Sequence, residues 1–255
     1  MVRSGWRVVI SWVVLSVGAG GFGGAAAAEC PAIAGGAPRL AQEDAAERLR
    51  YLQQGMHAAA RSARIWTWTW FSIYGALTAG QLLEAPFVDT AHRNGALLGA
   101  GSSAIGMLSI VVAPLGVMGD EKRLARQVAE AGAAADPCAL LAVAERFLVH
   151  DAKSEAFGKS WLVHIGGLVV NAGLGLALAL WLHDYQTMAI SVTVGELLAE
   201  LQFNTQPTGA TDLLARYRAG DLAQKSPDNA RPAVGWLVVP MLGANRWGLQ
   251  ATIVY

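Results

Sequence analysis

Three long stretches of this chain carry no charged residue, which limits the environments in which it can fold. They cover residues 65–83, 95–118 and 161–182. A helix of about 20 apolar residues spans the hydrocarbon core of a bilayer, so each stretch is long enough to cross one. Only 15% of all residues are charged, against about 25% in an ordinary soluble domain. We therefore expect an integral membrane protein whose first partner is membrane lipid.

A fourth apolar segment, residues 186–203, is interrupted by Glu196 and Glu200 and is a marginal span by itself. Its role is indicated by an internal repeat, which appears when the chain is shifted on itself by about 95 residues. An even number of spans in each copy would give both copies the same orientation. The sequence therefore predicts two tandem transmembrane hairpins, with chance similarity in an Ala-, Gly- and Leu-rich chain as the alternative. The aligned motifs are Glu47-Arg48-Leu49 with Glu145-Arg146-Phe147, Trp66 with Trp161, and Pro114-Leu115-Gly116 with Pro207-Thr208-Gly209.

The chain begins like a secretory signal peptide. Arg3 and Arg7 precede an apolar run at residues 8–17, and small residues follow as far as Ala28. This order of basic, apolar and small residues is typical of an exported protein. We expect cleavage after Ala28, which sets residues 1–28 apart as the signal peptide. The alternative is an uncleaved anchor helix.

Cys30 and Cys138 are the only two cysteines, which is too few for a structural zinc site. In an oxidising compartment they could join the mature N-terminus to the central linker by a disulfide. The sequence leaves this pairing open, because it does not give the distance between the two residues.

Small residues recur along one face of the second apolar stretch. Alternating spacings of four and three place them on one side of a helix, where they would let another backbone approach closely. We interpret this stripe as a helix-packing seam, with a pore lining as the alternative. Its members are Gly95, Gly99, Ser102, Gly106, Ser109 and Ala113.

Four polar residues of the second hairpin are candidates for a functional site. His164 and Asn171 share one helix face, and Glu196 and Glu200 share another. Ionisable groups inside a membrane are costly and are often functional. We expect His164 or Asn171 to pair with Glu196. The alternative is hydrogen bonding that only holds the helices together.

Two signals disagree about orientation in the membrane. Sixteen of the 19 Lys and Arg residues lie in the long segments before, between and after the hairpins, which favours a cytoplasmic side for them. A cleaved signal peptide places the same segments outside. We favour the signal and predict an inner-membrane protein whose long segments are periplasmic, with the outer membrane or periplasm as the alternative.

The remaining segments complete the predicted organisation. An amphipathic helical segment covers residues 29–64, the first hairpin residues 65–118, and a helical linker residues 119–160. The second hairpin covers residues 161–207. A helix, a linker and a β-hairpin cover residues 208–255, because alternating apolar residues flank Gly243-Ala244-Asn245. The expected fold is thus an all-α membrane protein with a small C-terminal β-hairpin.

No enzyme signature is present in the sequence. A nucleophile elbow, a P-loop, a dinucleotide-binding glycine motif and a zinc-protease helix are all missing. His150-Asp151 and His183-Asp184 are adjacent pairs, and neighbouring side chains point apart on a helix, which favours interfacial polar residues. We therefore expect no catalytic residue, metal or cofactor, and the zero net charge gives no attraction for nucleic acid.

The function predicted from these features is that of a non-enzymatic structural or assembly subunit of a bacterial envelope. It would act through helix packing in a homo-oligomer or with an envelope protein partner. The alternative is a small oligomeric transporter or channel component with a polar path between the two repeats.

Overall fold

The computed structural model describes residues 29–132, 135–183, 185–222, 235–243 and 246–254. The predicted signal peptide and its cleavage site lie outside these residues, as do the centre of the predicted β-turn and the terminal Tyr255. The expectation of a mostly helical chain is confirmed. The helices are α1 (Ala45–Glu84), α2 (Thr90–Val112), α3 (Val117–Ala131), α4 (Pro137–Gly158), α5 (Trp161–Leu182), α6 (Tyr185–Asn204) and α7 (Gly209–Arg218).

Helix α1 runs without a break through the predicted amphipathic segment and the first apolar stretch. It begins at Ala45 because the Asp44 side chain accepts hydrogen bonds from the amides of Ala46 and Glu47, at 2.8 and 3.1 Å. Among the described residues ahead of it, Pro38–Gln42 form a short 3-10 helix, and Glu29 forms an isolated antiparallel bridge with Asp44. The predicted division at residue 64 is therefore a change in surface polarity within one helix and does not mark a break in it.

The second half of the helical part has a similar order of elements but contains a bend. Helix α4 ends at Gly158 and α5 begins at Trp161, with 44° between them. Helix α5 ends where His183 adopts a left-handed backbone conformation, with φ of 54°. Helix α6 then returns along α5.

The C-terminal segment contains two strands, β1 (Gly235–Gly243) and β2 (Arg246–Val254). They pair antiparallel, with Gly235 opposite Val254 and Gly243 opposite Arg246.

Two regions with opposite surface properties make up the helical part. The helical body comprises residues 29–64, 113–156 and 205–222, and its main buried cluster joins α1, α3, α4 and α7. Leu52, Met56, Leu141 and Leu213 are among its fully buried members. No large hydrophobic side chain is exposed in the described residues of this body. The body therefore has the apolar interior and polar exterior of a water-soluble domain.

The apolar bundle, residues 65–112 and 157–204, has the opposite arrangement. In the helical part, residues 29–222, twenty-four large hydrophobic side chains of described burial are exposed, and all of them lie in this bundle. Buried positions in the same helices include the polar residues Ser103, Asn171 and Gln202. The bundle thus directs apolar groups outward and buries several polar ones.

The expected four spans are not all apolar enough to be recognised by length and composition. In the described residues, only the helical stretch His92–Ala131 is long and apolar enough to cross a membrane. A second span is obtained if α4 and the first part of α5 are counted together despite their bend. Thr, Trp and Gln residues lower the mean hydropathy of the first predicted span, and two glutamates lower that of the fourth.

The small-residue stripe of α2 contacts its neighbours at three of six predicted positions. A Cβ atom at Gly99 would lie 2.7 Å from Gln81 Nε2, and one at Gly106 would lie 2.7 Å from Tyr74 Cε1, both on α1. One at Gly95 would lie 2.8 Å from Thr187 Cγ2 on α6. Ser102 is half-buried, whereas Ser109 and Ala113 are exposed. The helix-packing seam therefore includes fewer residues than the predicted stripe.

A buried arginine joins four segments of the helical body. Arg48 has no exposed surface, and its Nη2 lies 2.7 Å from Glu145 Oε1. Its Nε donates to Tyr217 Oη at 2.9 Å, and its Nη1 and Nη2 donate to the carbonyls of Cys30 and Pro31 at 2.9 and 3.1 Å. The guanidinium therefore replaces its lost hydration with four hydrogen bonds.

Tyr217 completes this network by donating its hydroxyl to Glu145 Oε1. Burial, and then the hydrogen bond to Glu145, raises the pKa of Tyr217 above its usual range. The phenol accordingly stays protonated and available as a donor at neutral pH.

The disulfide that the sequence left open is present between Cys30 and Cys138, whose Cα atoms lie 5.5 Å apart. It closes a loop of 108 residues in sequence separation. Both cysteines belong to the body, so the bond ties the N-terminal segment to the start of α4 beside the Arg48 network.

We predict that Arg48→Ala lowers the free energy of unfolding by about 3 kcal/mol, because Glu145, whose side chain is 12% exposed, loses its cationic partner and three further acceptors lose their donor. Arg146→Ala is the matched control, since Arg146 occupies the equivalent repeat position but is exposed. Its change should stay within about 0.5 kcal/mol. Denaturant unfolding followed by circular dichroism measures both, and equal small losses would show that the Arg48 network is dispensable.

We also predict that Gly106→Leu destabilises the bundle by about 1–3 kcal/mol, because the added side chain collides with the ring of Tyr74. Gly101→Leu on the same helix is the control, since a Cβ there meets nothing within 4 Å. Thermal unfolding in detergent should separate the two variants. Equal melting temperatures would remove the argument for close packing of α1 and α2.

Candidate functional site

The four polar candidates of the second hairpin form two pairs between α5 and α6. Asn171 Nδ2 donates to Glu196 Oε2 at 2.9 Å, which is one of the contacts expected from the sequence. His164 has a different partner from the one expected, because its Nδ1 lies 2.7 Å from Glu200 Oε1. Glu200 follows Glu196 by about one helical turn, so both pairs lie along the same helix contact.

The two pairs differ in their environment. Asn171 is 9% exposed, and a Cβ atom at Gly195 would lie only 2.7 Å from its Oδ1. The side chains of His164 and Glu200 are 32% and 37% exposed. The Asn171 pair is therefore an interior contact that depends on the glycine opposite it, whereas the His164 pair borders the surface.

Further polar contacts link α1 to the end of α6. Tyr74 Oη donates to Gln202 Oε1 at 2.7 Å. The indole nitrogens of Trp66 and Trp70 both donate to Thr205 Oγ1, at 3.2 and 3.0 Å. These three aromatic residues therefore hold α1 to the C-terminal end of α6 by hydrogen bonds. In chemical terms, the bundle offers two carboxylates with neutral or titratable donors, which suits proton exchange or helix association.

A second cluster lies where the bundle meets the helical body. It contains Asp120 near the start of α3, and His150 and Asp151 near the end of α4. His150 Nδ1 lies 3.1 Å from Asp120 Oδ2 and 3.5 Å from Asp151 Oδ1. One ligand atom from each of the three residues lies within 4.8 Å of the others. His150 and Asp151 thus reach one point, contrary to the sequence expectation that their side chains diverge.

Asp151 is an unusual carboxylate. It is 1% exposed, and neither of its oxygens has a hydrogen-bond partner. Burial, followed by the charge of Asp120, raises the pKa of Asp151 to about 8. An ionised carboxylate without hydrogen bonds is costly in such a place, so the protonated form is favoured at neutral pH.

Glu155, on the same helix as Asp151, shows how the chain satisfies a buried carboxylate. Its oxygens accept hydrogen bonds from the amides of Ala210 and Thr211 at 3.1 and 2.9 Å, and from the Thr211 hydroxyl at 3.2 Å. It therefore caps the start of α7. Burial still raises the pKa of Glu155.

Sequence reasoning missed the Asp120 cluster because Asp120 comes from another helix, 30 residues before His150. A signal for it exists in the repeat. The aligned Pro114-Leu115-Gly116 and Pro207-Thr208-Gly209 breaks each precede a short helix, and a carboxylate of α4 faces each break: Asp151 at Gly116 and Glu155 at Ala210.

Comparisons of the chain with models of protein families, with curated proteins and with solved structures find no match.

We predict that Asp151→Asn raises the stability of the metal-free protein at pH 8.5. Because the folded pKa lies above the unfolded one, the wild type binds a proton on folding at intermediate pH, and its stability falls as pH rises from about 4 to about 8. The amide mimics the protonated carboxyl and cannot ionise. The melting temperatures of Asp151→Asn and the wild type in EDTA should therefore diverge as the pH rises. The corresponding difference in the free energy of unfolding should be on the order of a few kcal/mol.

Glu130→Gln serves as the control for this pH series, since Glu130 is an exposed carboxylate on α3. Its melting curve should follow that of the wild type. A difference between Asp151→Asn and the wild type that stays constant from pH 5 to pH 9 would show that Asp151 does not titrate in this range.

Proposed function

We propose that this chain is a non-enzymatic integral membrane protein of the bacterial envelope, a structural or assembly subunit that inserts its apolar bundle into lipid. The body lies outside the membrane, in the periplasm when the membrane is the inner one. The observation that carries this proposal concerns the helical part, residues 29–222: every exposed large hydrophobic side chain whose burial is described there lies in the bundle.

Surface chemistry supports lipid as the solvent of the bundle. Soluble monomers rarely expose large contiguous apolar patches. In the bundle, exposed apolar residues occur on α2, α5 and α6, which contact one another. Leu108 on α2, Leu168 on α5 and Leu197 on α6 are 58%, 48% and 59% exposed. A shallow apolar groove of about 230 Å³ between α1 and α2 extends this surface, with Trp68, Phe71 and Val111 among its lining residues.

Two features support export of the body. Residues 1–28 have the composition of a signal peptide, and the Cys30–Cys138 disulfide suits an oxidising compartment. A body with a well-packed core and polar surface folds in water without lipid. These features favour a periplasmic location over a cytoplasmic one, and the same reasoning leaves the outer membrane as the alternative place of anchoring.

A transporter or channel component is the second candidate, and the His164–Glu200 pair is the observation that favours it. Both side chains are about one-third exposed on the bundle, where a second copy of the chain could complete a polar path. Four helices enclose little space, so this function requires a homo-oligomer. Proton flux into liposomes containing the purified protein, lost in Glu200→Gln, would support this candidate over the structural one.

We predict that Leu168→Arg strongly reduces the amount of protein in the membrane, because an arginine at the centre of a lipid-facing helix costs about 2.5–3.5 kcal/mol. Ala129→Arg on the exposed surface of α3 is the matched control, and should leave that amount unchanged. The measurement is the fraction of the chain that stays with membranes after alkaline carbonate extraction. Equal membrane-retained fractions for Leu168→Arg and the wild type, or release of the wild type itself by carbonate, would contradict lipid insertion.

A further inference from the structure

We propose that Asp120, His150 and Asp151 form a binding site for one divalent transition-metal ion, of the zinc or manganese class. This goes beyond the proposed function and differs from the sequence expectation of no metal. It concerns the helical body, so it holds whether or not the bundle inserts into lipid.

The spacing of the three side chains fits a metal ion. Zinc with ligand bonds near 2.0–2.1 Å and tetrahedral geometry places its ligand atoms about 3.3–3.4 Å apart. The distances from His150 Nδ1 to Asp120 Oδ2 and to Asp151 Oδ1, 3.1 and 3.5 Å, bracket that value. The third pair, Asp120 and Asp151, has ligand atoms within 4.8 Å of each other, so an ion would draw these two carboxylates together around itself.

The buried carboxylate of Asp151 also favours a bound cation. Its two oxygens are buried and lack hydrogen-bond partners, whereas Glu155 on the same helix has three donors. Buried carboxylates are normally paired, hydrogen-bonded or bound to metal. A proton on Asp151 can be shared with Asp120 alone, whereas a cation in front of Asp151 Oδ1 would use Asp120 and His150 together.

The backbone leaves room for this arrangement. A Cβ atom at Gly116 would lie 2.7 Å from Asp151 Oδ1, so a larger residue there would crowd the carboxylate. Gly116 belongs to the break between α2 and α3, while Asp151 belongs to α4. A bound ion would consequently fasten the end of the first hairpin to the helix that leads into the second.

The donor set indicates the class of metal. One imidazole nitrogen and two carboxylate oxygens suit zinc and manganese, whereas magnesium and calcium prefer oxygen ligands alone. The His150 side chain is 68% exposed, which gives solvent a path to the remaining coordination positions. Arg123 pairs with Asp120 Oδ1 at 3.1 Å, leaving Oδ2 for the ion and offsetting part of the negative charge.

The test uses the full chain purified in detergent, stripped with EDTA and dialysed. Titration with ZnCl2, and separately with MnCl2, should give one ion per chain by elemental analysis and raise the melting temperature. His150→Ala should weaken zinc binding at least about tenfold, because it removes one of three protein ligands. Asp151→Asn should weaken it similarly while circular dichroism shows an unchanged helical content.

His57→Ala is the matched control. His57 is 66% exposed and lies 2.9 Å from a carboxylate oxygen of Glu121, so it forms a comparable surface pair outside the cluster. Its replacement should leave the stoichiometry and affinity unchanged. The proposal is overturned if neither metal binds to the wild type, or if His150→Ala binds zinc as tightly as the wild type does.

Discussion

The buried guanidinium of Arg48 is the constraint on which the helical body depends. A charge without exposed surface is tolerated only when hydrogen bonds replace its hydration, and here the partners come from Glu145, Tyr217 and the carbonyls of Cys30 and Pro31. These groups lie on α4, α7 and the N-terminal segment. Satisfying one side chain therefore requires three other segments to lie around α1, and the disulfide closes beside it.

Where helix α1 leaves the body, its surface changes. In α1, the face that is buried in the body at Leu52 and Met56 continues into a segment where Ile65 and Trp68 are exposed. No helix end marks the change. A continuous helix that is polar outside at one end and apolar outside at the other is what a protein needs to pass from water into lipid. Polar groups within the bundle are paired with one another. Glu196 has Asn171 as its partner, and Glu200 has His164.

Sequence reasoning predicted elements better than contacts. The predicted end of the second hairpin at residue 207 falls between α6, which ends at Asn204, and α7, which begins at Gly209, because Pro207 interrupts a helix. The continuity of α1 was missed, since a change from charged to apolar residues resembles a boundary although helix geometry does not require one.

Partners between helices depend on rotation and register, which a periodic pattern leaves open. The prediction placed His164 and Asn171 on one face and the two glutamates on another, yet could not decide that His164 pairs with Glu200. The cluster of Asp120 with His150 and Asp151 was missed for the same reason. The repeat contained its only sequence signal, in the two Pro-x-Gly breaks that α4 carboxylates face.

The central claim is that the bundle surface contacts lipid. Because both native cysteines form the disulfide, a cysteine introduced at Leu108 provides a single site for a nitroxide spin label, and one at Ala129 on the body provides the comparison. Collisions with oxygen and with a water-soluble nickel complex are then measured by electron paramagnetic resonance in lipid bilayers. The account predicts that the Leu108 label meets oxygen and not nickel, while the Ala129 label meets nickel. Equal access of nickel to both labels would contradict it.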